Sequence, residues 1–476
     1  MPSIEILKKD GALTHLAENE VQKLENCLQG QLIRPGDGNY DSARKVWNGL
    51  IDRHPALITS CAGTADVVAA VNFAREHELL LSIRSGGHNV SGAAIAEQGM
   101  VIDLSRLRGV KVDEHHHIAK VEAGALLGDV DRETQKYSLA TPLGVVSQTG
   151  VAGLTLHGGL GWQVRNHGLT IDNLAAVEIV TANGRVLRAS AQENNDLFWA
   201  VQGGGGNFGV VTSFEFHLHQ LGPEVWICAP IYPLAKAREV MTFCRDYMAQ
   251  APEDLMVIGV YWTAPAIQAV PAQHYGQPVI ILLGCYTGPA EQGLDAIQPL
   301  CSITEPIADL SAQMSWLEAQ QFLDQDYPEG GLYYWKSIYL QRFDEDVIAA
   351  LAAHTKKRPS RESSIDVWFL GGAIGRVADI ETPYYKRDAT TMVAVEANWQ
   401  KHEDTEANIA WARAVFDDMQ RFSDGSSYLN FPGFTEDADK LLKASYGPNL
   451  VKLMRIKAKY DPDNVFQGLL NITPQG

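Results

Sequence analysis

Apolar and polar residues recur on two periods along this chain, and the points where the period changes mark its elements. Ala56 to Thr59 is a short apolar run. Thr64 can cap a following helix in which Val67, Val71 and Ala74 share one face at i, i+4 and i+7. Leu79 to Ile83 reads as a second strand, so the unit has about the length of a strand–helix–strand crossover. Short strands are predicted next at Met100–Leu104, Val110–Val112 and the alternating run Ile118–Ala123. Ala176–Val180 runs into Asn183-Gly184, a dipeptide that suits a tight hairpin. A helix over 196–202 and a strand over 210–216 follow. Beyond Pro223 the pattern changes to mixed strands and amphipathic helices, with a strand at 279–283 and helices near 343–356 and 405–422. The tail from Val451 reads as glycine-light helix. Three segments are expected: residues 1–218, a second domain inserted over 219–440, and a C-terminal piece, 441–476, that rejoins the first.

A chain of 476 residues with 46% hydrophobic content exceeds the size at which single cores stop growing, which fits two domains. Its formal net charge of −18 and its lack of a long basic run argue against nucleic acid or an anionic membrane as partner. Met1 to Asp10 lacks the apolar centre of a secretory signal, and no uncharged apolar run approaches membrane-spanning length. Six cysteines lie scattered without CxxC spacing, as reduced thiols do. These features predict a soluble, cytoplasmic enzyme. His115-His116-His117 lies where a hairpin tip is expected and has no spaced Cys, Asp or Glu set beside it, so no metal site is expected.

The chemistry concentrates in glycine-rich stretches. Arg84-Ser85-Gly86-Gly87-His88-Asn89 follows a predicted strand. Paired glycines let backbone N–H groups approach an anion such as a pyrophosphate, and a neutral imidazole at the mouth of such a turn is a competent nucleophile. A second stretch runs from Gly144 to Gly161 and includes Thr149, Gly150, Gly153, Gly158 and Gly159. So many glycines suit a backbone lying close along a flat cofactor. Gly204 to Gly209 satisfies G-x-G-x-x-G, yet it follows a helix and leads into a strand, the reverse of the dinucleotide-binding order. In the second half, Ser427 to Phe431 reads as an extended strand that would put Tyr428 and Asn430 on one face. Tyr333 to Ser337 is an aromatic-rich strand with Lys336 near its end.

In this order the motifs resemble those of FAD-linked oxidases of the p-cresol methylhydroxylase and vanillyl-alcohol oxidase superfamily, in the berberine-bridge-enzyme-like branch. The resemblance extends from about Pro55 to Phe466. It implies an α+β fold: a two-subdomain FAD-binding domain, and a substrate domain with an antiparallel sheet backed by helices. It implies FAD bonded covalently through His88. A second, cysteinyl link is not expected, because Val146 stands at the matching position. Arg84 to Asn89, Thr149, Gly150, Gly153, Gly158, Gly159, Gly161, Gly209, Val210 and Asn464 match cofactor-contacting positions. His157 stands where relatives have glycine, and contact with the cofactor phosphates or packing beneath the loop are both open. Tyr428 matches the tyrosine that acts as base beside Asn430, provided that a donor or positive charge lowers its pKa. Lys336 is the candidate for that charge, with a solvated strand end as its other reading. The implied function is oxidation of a small organic molecule (alcohol, phenol, amine or sugar), with dioxygen reoxidising the flavin and peroxide released. A dehydrogenase using a quinone or protein acceptor, and a flavin protein that only binds a ligand, are the alternatives.

Overall fold

A computed structural model describes residues 3–475. The expected crossover forms from strand Leu57–Ser60, helix Thr64–Glu76 and strand Leu81–Arg84. Both strands pair in parallel with Met100–Asp103, which lies between them. Gln31–Ile33 adds an antiparallel edge to this four-stranded sheet. Thr64 does not cap the helix. Gly63 occupies the cap position, and the Thr64 hydroxyl instead donates to Glu178, 3.0 Å away on the next sheet. The hydroxyl thus ties the two sheets together.

A second, five-stranded sheet is antiparallel throughout, with Leu174–Val180 and Val210–His217 near its centre. Its hairpin turns at Asn183-Gly184, where Gly184 takes φ +75°. The three histidines sit at another hairpin tip between Val110–Asp113 and Ile118–Glu122. There, among the described residues, the His116 ring pairs only with Asp113, at 2.8 Å. No metal-holding cluster occurs among the described residues, and none of their helices is long and apolar enough to cross a membrane.

The largest sheet has nine antiparallel strands, with Leu255–Thr263, Ser364–Phe369, Thr391–Trp399 and Leu332–Leu340 adjacent in that order. Side chains alternate across it. Tyr334, Ile338, Ile365, Val367, Val393 and Val395 pack beneath helices that include Glu345–Thr355 and Thr405–Met419. The opposite face, carrying Trp335, Asp366, Trp368 and Glu396, looks toward the glycine-rich half of the chain. The architecture is therefore mixed α+β, as expected.

Two buried ion pairs hold these layers together. Arg387 grips Asp172 through two bonds of 2.6 and 2.8 Å. Lys457, in helix Leu450–Tyr460, is fully buried; its ammonium donates to Asp461 and to the carbonyls of Asn207 and Phe466. That helix packs on Asn195–Val201, so the tail returns to the N-terminal half.

Candidate active site

A cavity of 550 Å³ lies between the glycine-rich loops and the inner face of the nine-stranded sheet. Its lining includes Ser85, Gly86, Gly87, His88 and Asn89 from the first motif, and Thr149, Gly150 and Gly153 from the second. Gly209, Val210, Tyr428 and Asn430 also line it. The two glycine loops touch: a Cβ on Gly86 would stand 2.5 Å from the Gly150 Cα, so neither backbone tolerates a side chain there. Gly153 and Gly206 have open space where a Cβ would stand, and both border the cavity. Among the described residues the lining holds no Lys or Arg. An anion would therefore be held by backbone N–H groups.

His88 lies on this wall. Its ring stacks on Trp47 at 4.0 Å between centroids, and Trp47 stacks in turn on Tyr333 at 3.8 Å. Its Nε2 is buried without a hydrogen-bond partner. Burial pulls the imidazole down to about 4, so the ring is neutral at physiological pH. An orphaned imidazole nitrogen beside a glycine cradle fits FAD at this wall. His88, the cradle of Gly86 and Gly150, and Gly209 with the start of strand Val210–His217 would hold it.

Other expected contacts fall elsewhere. The Arg84 side chain turns away to the carbonyl of Ala43 and toward Asp103. A Cβ on Gly158 would meet Tyr384, on Gly159 Thr170 and on Gly161 the Leu143 carbonyl. These three glycines serve packing under the loop. Asn464 does not border the cavity; Gln467 and Gly468, three and four residues on, do. His157 borders the cavity and bonds the Gly153 carbonyl at 3.1 Å, a packing contact beneath the loop.

Tyr428 and Asn430 meet, but not on a strand. The segment is an irregular stretch ending in a turn, closed by the Phe431 N–H donating to the Tyr428 carbonyl at 3.0 Å. Ser337 anchors it by accepting from the Tyr428 N–H and donating to the Tyr428 carbonyl, both at 3.0 Å. The phenol oxygen accepts from Asn430 Nδ2 at 2.8 Å and from the Leu160 N–H at 3.0 Å. Lys336 is not the expected charge. It lies on the far face of its strand, 3.5 Å from Glu436 and over the Phe416 ring. With no cation beside it among the described residues, burial outweighs the donors and pushes the Tyr428 phenol up to about 12.

Sequence reasoning missed the opposite wall. Asp366 and Glu396 are diagonal neighbours on adjacent strands, for Asp366 pairs with Ala394 and Glu396 with Ser364. Tyr327 donates to Glu396 Oε2 at 2.8 Å. Burial pushes Asp366 up to about 7, and burial together with the charge of Asp366 raises Glu396. The signal was present: each is a lone carboxyl inside an otherwise apolar strand pattern, where no solvated face exists to receive it.

Comparison with known proteins identifies the family. Residues 55–190 match the family described as FAD binding domain, and residues 427–473 the one described as berberine and berberine like. The chain is 30% identical over 459 residues to an FAD-linked oxidoreductase of Dictyostelium discoideum, covering 95% of this chain and 97% of the other. It is 28% identical to (R)-6-hydroxynicotine oxidase of Paenarthrobacter nicotinovorans, covering 94% of this chain and 98% of the other. The crystal structure of 6-hydroxy-D-nicotine oxidase from Arthrobacter nicotinovorans superposes with a TM-score of 0.83 at 27% identity, covering 94% and 98% of the two chains. The chain belongs to the FAD-linked oxidoreductases of the p-cresol methylhydroxylase superfamily, in the berberine-bridge-enzyme-like branch, and is an FAD-dependent oxidoreductase.

Proposed function

We propose that the protein is an oxidase that removes hydride from a small organic substrate and passes the electrons to dioxygen, with FAD attached through His88 alone. The observation that carries the reading is the juxtaposition of His88 and Tyr428 on one cavity. When bound, FAD supplies the hydride acceptor. His88 is suited to a covalent link because its ring is neutral, its Nε2 is unpartnered, and the Trp47–Tyr333 stack fixes its plane. Val146 lines the same cavity and offers no second attachment.

Tyr428 is assigned to the substrate's departing proton. Its oxygen accepts from Asn430 and Leu160; those donors offset only part of the burial that raises the phenol, so the phenolate that takes the proton is the minor form at neutral pH. Among the described residues its own O–H has no acceptor, so in the resting phenol it is free to bond the substrate. Domain boundaries near 218 and 440 fit this division, with cofactor loops before the first and the substrate wall between them.

Dioxygen as acceptor is supported by Thr149, a small side chain on the cavity wall. The relatives include an enzyme named as an oxidase over nearly the whole chain. The test is stopped-flow mixing of pre-reduced protein with aerated buffer. Rapid reoxidation with peroxide release is expected, and Thr149→Leu should slow that phase while sparing reduction. Protein that stays reduced in air yet turns over with a quinone would show a dehydrogenase instead.

A further inference from the structure

We infer that the substrate is a cation, an amine protonated in neutral solution and carried on a flat apolar body, received by Asp366 and Glu396 on the wall facing the flavin loops. The inference rests on reading this cavity as the substrate site.

The wall is acidic without compensation. Asp326, Glu362, Asp366 and Glu396 all border the cavity, and no Lys or Arg among the described residues does. Buried carboxyls without a counter-charge are costly, and burying two of them on neighbouring strands compounds the cost. Glu396 has a partial answer in the Tyr327 hydroxyl. Asp366 has none at one oxygen: its Oδ1 is buried, lacks any hydrogen-bond partner, and belongs to a side chain only 5% exposed. It is an acceptor without a donor, on a side chain that borders the cavity.

The surroundings suit a cation rather than a neutral donor. Trp335 sits directly opposite Glu396 in the strand register. Tyr327 and Phe431 meet Trp335 edge-on, at 5.4 and 5.3 Å between centroids. Aromatic faces beside a carboxyl attract ammonium groups through the ring quadrupole as well as through charge. The raised affinities of Asp366 and Glu396 for protons are consistent with this, because two neighbouring carboxyls hold a proton until a cation displaces it. The titratable groups around them are Glu362, Asp326, Tyr327 and the neutral His88, none of them a cation at neutral pH. Among the described residues, an arriving ammonium then meets no other positive charge in the chamber.

The test is calorimetric titration of the flavin-loaded protein at pH 7.5 with protonated benzyldimethylamine, its neutral isostere isobutylbenzene, and cellobiose. Wild-type protein should bind the cation about 10- to 100-fold more tightly than the isostere, the range for a hydrogen bond to a charged group. Asp366→Asn keeps the shape of the side chain and should abolish that preference while changing isobutylbenzene affinity little. Glu396→Gln should weaken it. Equal wild-type affinity for cation and isostere, a preference that survives in Asp366→Asn, or cellobiose bound ahead of the amine would each overturn the inference. If Asp366→Asn fails to fold, the wild-type comparison alone decides. The two readings fail separately. Cation preference in a protein whose flavin no substrate reduces would remove the oxidase and leave the cation site, and flavin reduction without cation preference would do the reverse.

Discussion

The phenol oxygen of Tyr428 accepts a hydrogen bond from Nδ2 of Asn430, 2.8 Å away, across a turn and not along a strand. Asn430 also donates to the Leu154 carbonyl at 3.2 Å, within the second glycine-rich stretch. One amide thus fixes the tyrosine against the loop that would cover the cofactor.

Tyr428→Phe should slow flavin reduction by about 10²–10⁴-fold, the usual contribution of a general base. Because the phenol is pushed up to about 12, the wild-type reduction rate should climb with pH through the neutral and mildly alkaline range if the phenolate is the acceptor. Single-turnover reduction across that range is the measurement. A mutant of near-normal rate would transfer the proton to the Asp366–Glu396 pair.

His88→Ala should yield protein whose yellow colour separates on acid precipitation, whereas wild-type colour should stay in the pellet. Trp47→Leu removes the ring that stacks on His88 and should lower the covalently bound fraction without abolishing it. Flavin that washes out of denatured wild-type protein would rule out the attachment.

Asp131 provides a pH test of stability. It is buried, accepts from Trp316 Nε1 at 2.9 Å and from Gln320 Nε2 at 3.0 Å, and burial pushes it up to about 6. A carboxyl raised above its unfolded value of 3.8 contributes stability that is present below that value and is lost as pH rises through the folded one. Between about pH 4 and 6 wild-type stability should therefore fall relative to Asp131→Asn, by roughly 3 kcal/mol. Chemical denaturation of both proteins at several pH values checks the slope. A constant difference would show that Asp131 does not titrate there.

Asp172→Ala should destabilise the protein by about 3–5 kcal/mol, since it strands the Arg387 guanidinium in a buried setting. The double variant Asp172→Ala with Arg387→Met should recover part of that loss. Thermal melts of Asp172→Ala, Arg387→Met and the double variant suffice, and additive effects would argue against a coupled pair.

The local patterns were legible from the sequence where one element decides its own shape. The crossover over 57–84, the Asn183-Gly184 hairpin and the strand after Gly209 follow from apolar period and turn chemistry, which act over a few residues. The glycine pairs announced a close backbone approach for the same reason. What lay outside reach were the relations between segments far apart in the chain. Trp47 stacks on His88, and the Asp366 strand lies beside the Glu396 strand, only because whole sheets pack face to face. The placement of Lys336 shows the limit most clearly. Alternation along its strand puts it on the face opposite to Trp335, but which face meets the cavity depends on where the covering helices settle. Local sequence determined the parts and their periodicity. Burial of one face under helices and the other against the glycine loops decided which side chains became the site.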